Sequence, residues 1–340
     1  MQDVHLSNWT ETGGTNFLSR ATHRAWLLSQ ATALLDFYRP NVLNPAGGFH
    51  VLDDDGGPLP AGSAQNGAER QLHDTTRMVH CFAMAKLWGQ SGVDDVIDHG
   101  MDLLWTRHRD AAHGGYFWGV DDSGPTNPAK QAYGHAFVML AAASAKAADH
   151  PDADRLLADV SEVLQARFWE ESCGAAREEY SADWQVTSDY RGQNSNMHLT
   201  EALMAAYEVT GEQSYLGMAQ RIAGLIVNRH ARHQDWRIAE HFDRHWQVDR
   251  EYAGNPVFRP RGITPGHALE WSRLLIQLWE LGARQQAWLP DAAKRLFFNA
   301  IETGWNAQTG GFYYTLDWNN TPDQADRFWW PCAEGIAAAA

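Results

Sequence analysis

The feature that most constrains this chain is a loose internal repeat. Segments with helical apolar spacing alternate with short aromatic stretches punctuated by glycine. The stretches are Gly47-Gly48-Phe49-His50-Val51, Gly114-Gly115-Tyr116-Phe117-Trp118, Cys173 to Trp184, Trp236 to Trp246, and Gly310-Gly311-Phe312-Tyr313-Tyr314. Each reads as a short hairpin, with turn residues at Asp53 to Gly57, Asp121 to Gly124 and Asp317 to Asn320. Successive stretches lie about 60 to 70 residues apart, which leaves room for two helices and their connections.

Apolar spacing and the scarcity of interior Pro and Gly predict helices over 16–38, 68–89, 93–108, 129–148, 152–169, 194–210, 213–231, 265–282, 287–304 and 325–340. Pro151-Asp152 and Thr264-Pro265 open two of them, and Pro331 lies near the start of the last. No stretch has a linker's composition, so residues 1–340 read as one domain. Paired helices with hairpins gathered at one rim describe an all-α (α/α)6 toroid; an open superhelix of helical hairpins is the alternative. Six pairs need twelve helices, and ten are read. Glu334 to Ala340 run on as helix with no stop signal. The expectation is a barrel that lacks its last helical pair, roughly 60 to 80 residues.

Composition excludes several classes. The formal charge is -15 with no basic face, which sets nucleic acid aside. No run of eighteen apolar residues points to a membrane span, and the N-terminus has no secretory pattern. Three scattered cysteines (Cys81, Cys173, Cys332) form no disulfide framework or metal spacing; they read as small buried side chains in a cytoplasmic protein. The 16 Trp and 16 His suit a cavity that packs on sugar rings and hydrogen-bonds their hydroxyls.

Three segments carry polar residues at helical spacing. Arg77 follows the polar turn His73-Asp74-Thr75-Thr76, and could reach a substrate oxygen or form a surface ion pair. Asn194 and His198, four apart, share one helical face; a capping Asn and a core His are the plain reading. His267 and Glu270, three apart after Thr264-Pro265-Gly266, suit a general acid/base pair. A metal site is disfavoured there because no third ligand is nearby. Tyr133 and His135, two apart, do not share a face, so one of them is central at most. Asp53-Asp54-Asp55 reads as a turn rather than a metal motif, and phosphate-loop, dinucleotide and nucleophile-elbow patterns are absent.

Together these strings resemble the N-acylglucosamine 2-epimerase superfamily, and within it the bacterial aldose–ketose isomerases acting on mannose or sulfoquinovose. They are Thr76 to His80, Gly114-Gly115-Tyr116, Lys130 to His135, Tyr190 to His198, Glu240 to Asp243, Thr264 to Trp271, and Trp330-Pro331 with Glu334. The resemblance implies an (α/α)6 barrel and a cofactor-free, metal-independent interconversion of an aldose and its ketose through a cis-enediolate. Sugar 2-epimerisation (N-acylglucosamine or cellobiose type) and non-catalytic sugar binding are the alternatives. It further implies that His267, with Glu270 beside it, is catalytic, together with His198 and Arg77. Tyr133, Asn194, Trp330 and Glu334 would contact the monosaccharide. The family's second catalytic histidine lies in the last helical pair, so the chain as given is expected to be inactive. Val257, where the sulfosugar enzyme has a basic residue, favours a neutral aldose, with Arg259 and Arg261 close by. A homodimer is a family-level expectation. A glycoside hydrolase on the same barrel would need paired carboxylates across a cleft, and here one Glu stands among His, Asn and Arg.

Overall fold

The computed structural model describes residues 20–60, 69–252 and 254–340. Among them are ten α-helices: α1 (Ala21–Tyr38), α2 (Leu72–Leu87), α3 (Asp94–Leu103), α4 (Ala132–Ala147), α5 (Ala153–Val163), α6 (Gln193–Thr210), α7 (Gln213–Ala223), α8 (Pro265–Leu281), α9 (Trp288–Gly304) and α10 (Trp330–Ala339). All ten predicted helices are present. The first was read from residue 16, and residues 16–19 lie outside the described range. The last was read from 325 but starts at Trp330, where Pro331 occupies the first turn; a strand at Pro322–Gln324 precedes it.

Even-numbered helices form an inner ring in which α2 packs on α4, α4 on α6, α6 on α8 and α8 on α10. Helices α3, α5, α7 and α9 back onto their inner partners as an outer layer. The two layers differ in sequence for that reason. Outer helices bury one stripe, such as Val96, Ile97 and Met101 on α3 or Leu156, Leu157 and Val160 on α5. Helix α4 is buried almost all round, and its run Ala141-Ala142-Ala143 lets neighbouring backbones come close. Gly100 does the same between layers: a Cβ there would sit 2.4 Å from Val79 Cγ2.

Each outer helix from α3 to α7 ends in a π-helical turn, at Leu104–His108, Leu164–Phe168 and Gly224–His230. A short hairpin follows. The residues just ahead of the next inner helices then pair antiparallel with the hairpin of the following repeat. β1 (Arg70–Gln71) joins β2 (Gly119–Asp121), β3 (Lys130–Gln131) joins β4 (Glu179–Tyr180), and β5 (Arg191–Gly192) joins β6 (His241–Phe242). Ile263 makes the equivalent bridge to Leu316. The inner helices therefore all begin at the hairpin rim. The turns read from sequence share one device, since the Oδ1 atoms of Asp53, Asp121 and Asp317 accept backbone N–H groups two to four residues on; Asp243 repeats it.

The cysteines depart from expectation. Cys81 and Cys173 are exposed and Cys332 is half-buried. Cys81 shares an exposed stripe of α2 with Arg77, Met84 and Trp88, away from the packed face. Burial instead takes in Lys130, at 0% exposure, whose ammonium donates to Asp110 Oδ2 at 2.9 Å and to the Ala182 carbonyl at 2.5 Å. Asp110→Ala would strand that charge, and denaturant unfolding is expected to show a loss of about 3 to 5 kcal/mol; a loss below about 1 kcal/mol would mean that the pair is solvated.

Candidate active site

Helices α2, α4, α6, α8 and α10 bring the sequence-selected residues into one network of contacts around a hollow, in which Tyr133 and Asn194 line the cavity itself and Arg77 and His198 pack against Tyr133. Arg77 Nη2 donates to Tyr133 Oη at 2.8 Å, and its guanidinium lies 4.4 Å over the Phe137 ring. Among the described residues no ion pair forms at Arg77. Burial raises the Tyr133 pKa, with Arg77 opposing, so the phenol stays neutral. Tyr133 and Asn194 line a cavity of about 310 Å³ with Trp118, Tyr190, Glu178 and Arg259. Among the described residues Asn194 Oδ1 is buried without a hydrogen-bond partner, so it caps none of them and can accept from a ligand. Its neighbour Asn196 holds the Ala176 and Gly192 backbone instead. His135 is structural: Nδ1–H meets the Gln131 carbonyl at 2.8 Å and Nε2 accepts the Tyr116 N–H at 3.0 Å. Desolvation lowers its pKa to about 4.

His198 lies edge-on to Tyr133, with ring centroids 5.3 Å apart. Its Nδ1 is 3.4 Å from Glu270 Oε1 and 3.5 Å from Glu201 Oε2. Burial lowers the His198 pKa, against the pull of Glu201. The carboxylates split. Burial, Glu201 and Glu334 push Glu270 well above the usual carboxyl range, so it holds a proton. Burial also acts to raise Glu201, but His198 and Arg273 outweigh it and bring the group to about 2. Arg273 is the counter-ion, 3.2 Å from both Glu201 Oε1 and Glu334 Oε2. His198, Glu201 and Glu270 offer ligand atoms within 4.8 Å of one another and could hold a divalent ion. Arg273 already supplies positive charge at that spot.

His267 and Glu270 share the inner face of α8 but do not pair with each other. The carboxylate at His267 is Glu240, whose two oxygens both lie 2.9 Å from Nδ1. Trp271 Nε1 donates to Gln193 Oε1 at 2.8 Å, which turns the Gln193 amide so that Nε2 donates to Glu240 Oε2 at 2.8 Å. Gln193 Nε2 also lies 3.0 Å from His267 Nδ1, but both oxygens of Glu240, which can only accept, are nearer; on that ground Nδ1–H is assigned to Glu240 and the lone pair to Nε2. Burial would raise the Glu240 pKa, but His267 and Gln193 together bring it below the ordinary value. Trp330 packs beside His267, with centroids 5.2 Å apart.

Sequence reading missed Glu240, Gln193, Glu201 and Arg273 as site groups. Glu240 and Gln193 stood inside quoted strings, and Glu201 follows His198 at i+3, but only the fold joins them. Arg259 is held 3.4 Å from both Glu178 and Glu179, and Arg261 is 3.1 Å from Asp323.

A family model described as N-acylglucosamine 2-epimerase matches residues 47–340. The chain is 42% identical over 333 residues to a protein named D-mannose isomerase from Thermobifida fusca, covering 96% of this chain and 80% of that one. It superposes on a crystal structure of D-mannose isomerase with a TM-score of 0.86 at 33% identity, covering 93% of this chain and 80% of the other. The structure of cellobiose 2-epimerase from Spirochaeta thermophila gives a TM-score of 0.74 at 22% identity, covering 93% and 79%, and shares the fold. These neighbours are (α/α)6 barrels, the architecture described above.

The carboxyl cluster has a stability signature. The folded Glu270 pKa lies above its unfolded value near 4.5, so ionisation in the unfolded chain destabilises the fold as pH rises past that value. Glu270→Gln removes the effect. Its unfolding midpoint, relative to the parent, is expected to climb as pH rises above about 4.5 and to match the parent below that value; a difference independent of pH would refute a protonated Glu270.

Proposed function

The chain belongs to the N-acylglucosamine 2-epimerase family, and on that premise we propose that it is an aldose–ketose isomerase that interconverts D-mannose and D-fructose. The observation that carries the chemistry is the Trp271–Gln193–Glu240–His267 chain, which favours Nδ1–H on Glu240 and leaves Nε2 as the lone-pair nitrogen. After ring opening, His267 Nε2 takes the proton from C2 of the aldose, next to the C1 carbonyl, and the negative charge passes to O1, giving a cis-enediolate. Return of that proton to C1, with the hydroxyl proton moving from O2 to O1, yields the ketose with no external reductant. Return to C2 from the other face would yield the 2-epimer.

The remaining groups have matching roles in this proposal. Arg77, set by Tyr133 and Phe137, stabilises charge on the substrate oxygen. His198 and the protonated Glu270 hold a proton for ring opening, at an Nδ1–Oε1 distance of 3.4 Å. Asn194 Oδ1, buried and unpaired, accepts a hydroxyl. Trp330 offers an apolar face beside His267, and Glu334 acts through Arg273. The substrate is a monosaccharide, and no helix among the described residues is long and apolar enough to cross a membrane.

Incubating the full-length protein with D-mannose in D2O should give D-fructose. Formation of D-glucose without ketose would replace this reading by 2-epimerisation. His267→Gln is expected to lower kcat by about 10²- to 10⁴-fold, and Glu240→Gln by about 10- to 100-fold, each with KM little changed; an unaltered kcat in His267→Gln would end the proposal.

A further inference from the structure

A second cavity opens on the outer layer, between the π-helical turn after α7 and the first turns of α9. It encloses about 370 Å³ and is lined by Asn228, Arg232, Trp236, Trp288, Asp291 and Arg295. None of these residues takes part in the site described above. We propose that this cavity binds a phosphorylated monosaccharide.

Charge is the first argument. The chain carries 42 acidic residues against 27 basic ones, and many of its arginines sit in ion pairs. Arg232 and Arg295 have no ion-pair partner among the described residues. Arg232 reaches only the Asn228 side-chain oxygen, at 3.3 Å, and the Arg295 guanidinium lies 5.5 Å from the Trp236 ring. Two guanidiniums lining one concave site, within a chain of net charge -15, suit a phosphate dianion.

Backbone conformation is the second. Asp235 and Trp236 are successive non-glycine residues at positive φ, +53° and +61°. Bulky side chains rarely adopt that region, and the turn is held from outside. Asn299 Nδ2 donates to the Asp235 carbonyl at 2.9 Å, Arg237 takes the Asp235 carboxylate at 3.1 Å, and the Trp236 N–H returns to the Ala231 carbonyl at 2.8 Å. The strained turn thus ties the Asp235 carboxylate to Arg237, leaving Asp291 as the carboxylate of the lining, and sets the indole in the cavity wall. Trp288 is anchored by its own N–H to Gln286 Oε1 at 2.9 Å, which leaves its ring faces for packing.

Two indoles pack on the C–H face of a pyranose, while Asp291 and the Asn228 amide can accept its hydroxyls. A carboxylate beside paired guanidiniums fits a ligand with an anionic end and a hydroxyl-rich end. The volume suits a hexose phosphate.

Titration calorimetry of the full-length protein with mannose 6-phosphate should show saturable 1:1 binding. Arg232→Gln and Arg295→Gln should each weaken it about tenfold or more, with unfolding midpoints and mannose turnover unchanged. Trp236→Leu should weaken it as well, without moving turnover. Absence of binding at millimolar ligand would overturn the proposal, as would binding that survives both arginine changes but is lost in His267→Gln. Equal affinity for inorganic phosphate would remove the sugar, and tighter binding of adenosine monophosphate would replace it by a nucleotide; either result rejects the ligand class named.

Discussion

Every group in the hollow depends on the short antiparallel pairings that precede the inner helices. Two residues ahead of α2, α4 and α6, and one ahead of α8, are hydrogen-bonded to the hairpin of the next repeat. This fixes both the height and the rotation at which each inner helix starts. A slip of one residue in a two-residue ladder would turn the following side chains to another face. Arg77, Tyr133, Asn194, His198 and His267 fall within the first two turns after those ladders. Neighbouring repeats therefore set one another's site residues, and no helical pair carries the site alone.

Inside that frame the problem is charge. The hollow collects Glu201, Glu240, Glu270 and Glu334 in a chain already strongly acidic, and buried carboxylates are costly unless paired or protonated. Each solution used here is different. Glu240 is satisfied by an imidazole, an amide and a backbone N–H. Glu201 and Glu334 share Arg273, and Glu270 keeps its proton. The same arrangement leaves two imidazoles in distinct surroundings: His267 faces Glu240, and His198 lies between the ionised Glu201 and the protonated Glu270. In the proposed isomerisation that difference separates the carbon base from the proton store.

Helices were legible because outer ones show a single apolar stripe and inner ones are Ala-rich without breakers. Asp-anchored turns were legible because the carboxylate acts within a few residues of itself. The site was half legible. Asn194 with His198, and His267 with Glu270, could be placed on common faces from their spacing; Arg77 and Tyr133 stood out as polar residues but took their roles, with Trp330 and Glu334, from the family resemblance. The partners could not be read, because Gln193, Glu240 and Trp271 meet across three elements and no local spacing encodes that. His267 with Glu270 is the instructive case: two residues on one helical face were matched in sequence, yet each has its carboxylate or imidazole partner on another element. Spacing defines a face and not a bond.

The π-helical turns that close three outer helices begin at Leu104, Leu164 and Gly224, sixty residues apart each time. A turn of this kind amounts to one additional amino acid accommodated within a helix. Its recurrence at matching points makes the widened turn part of the repeat's geometry: each time it stands between an outer helix and the stretch that leads back to the rim, so the same local change of pitch sets where the chain re-enters the rim.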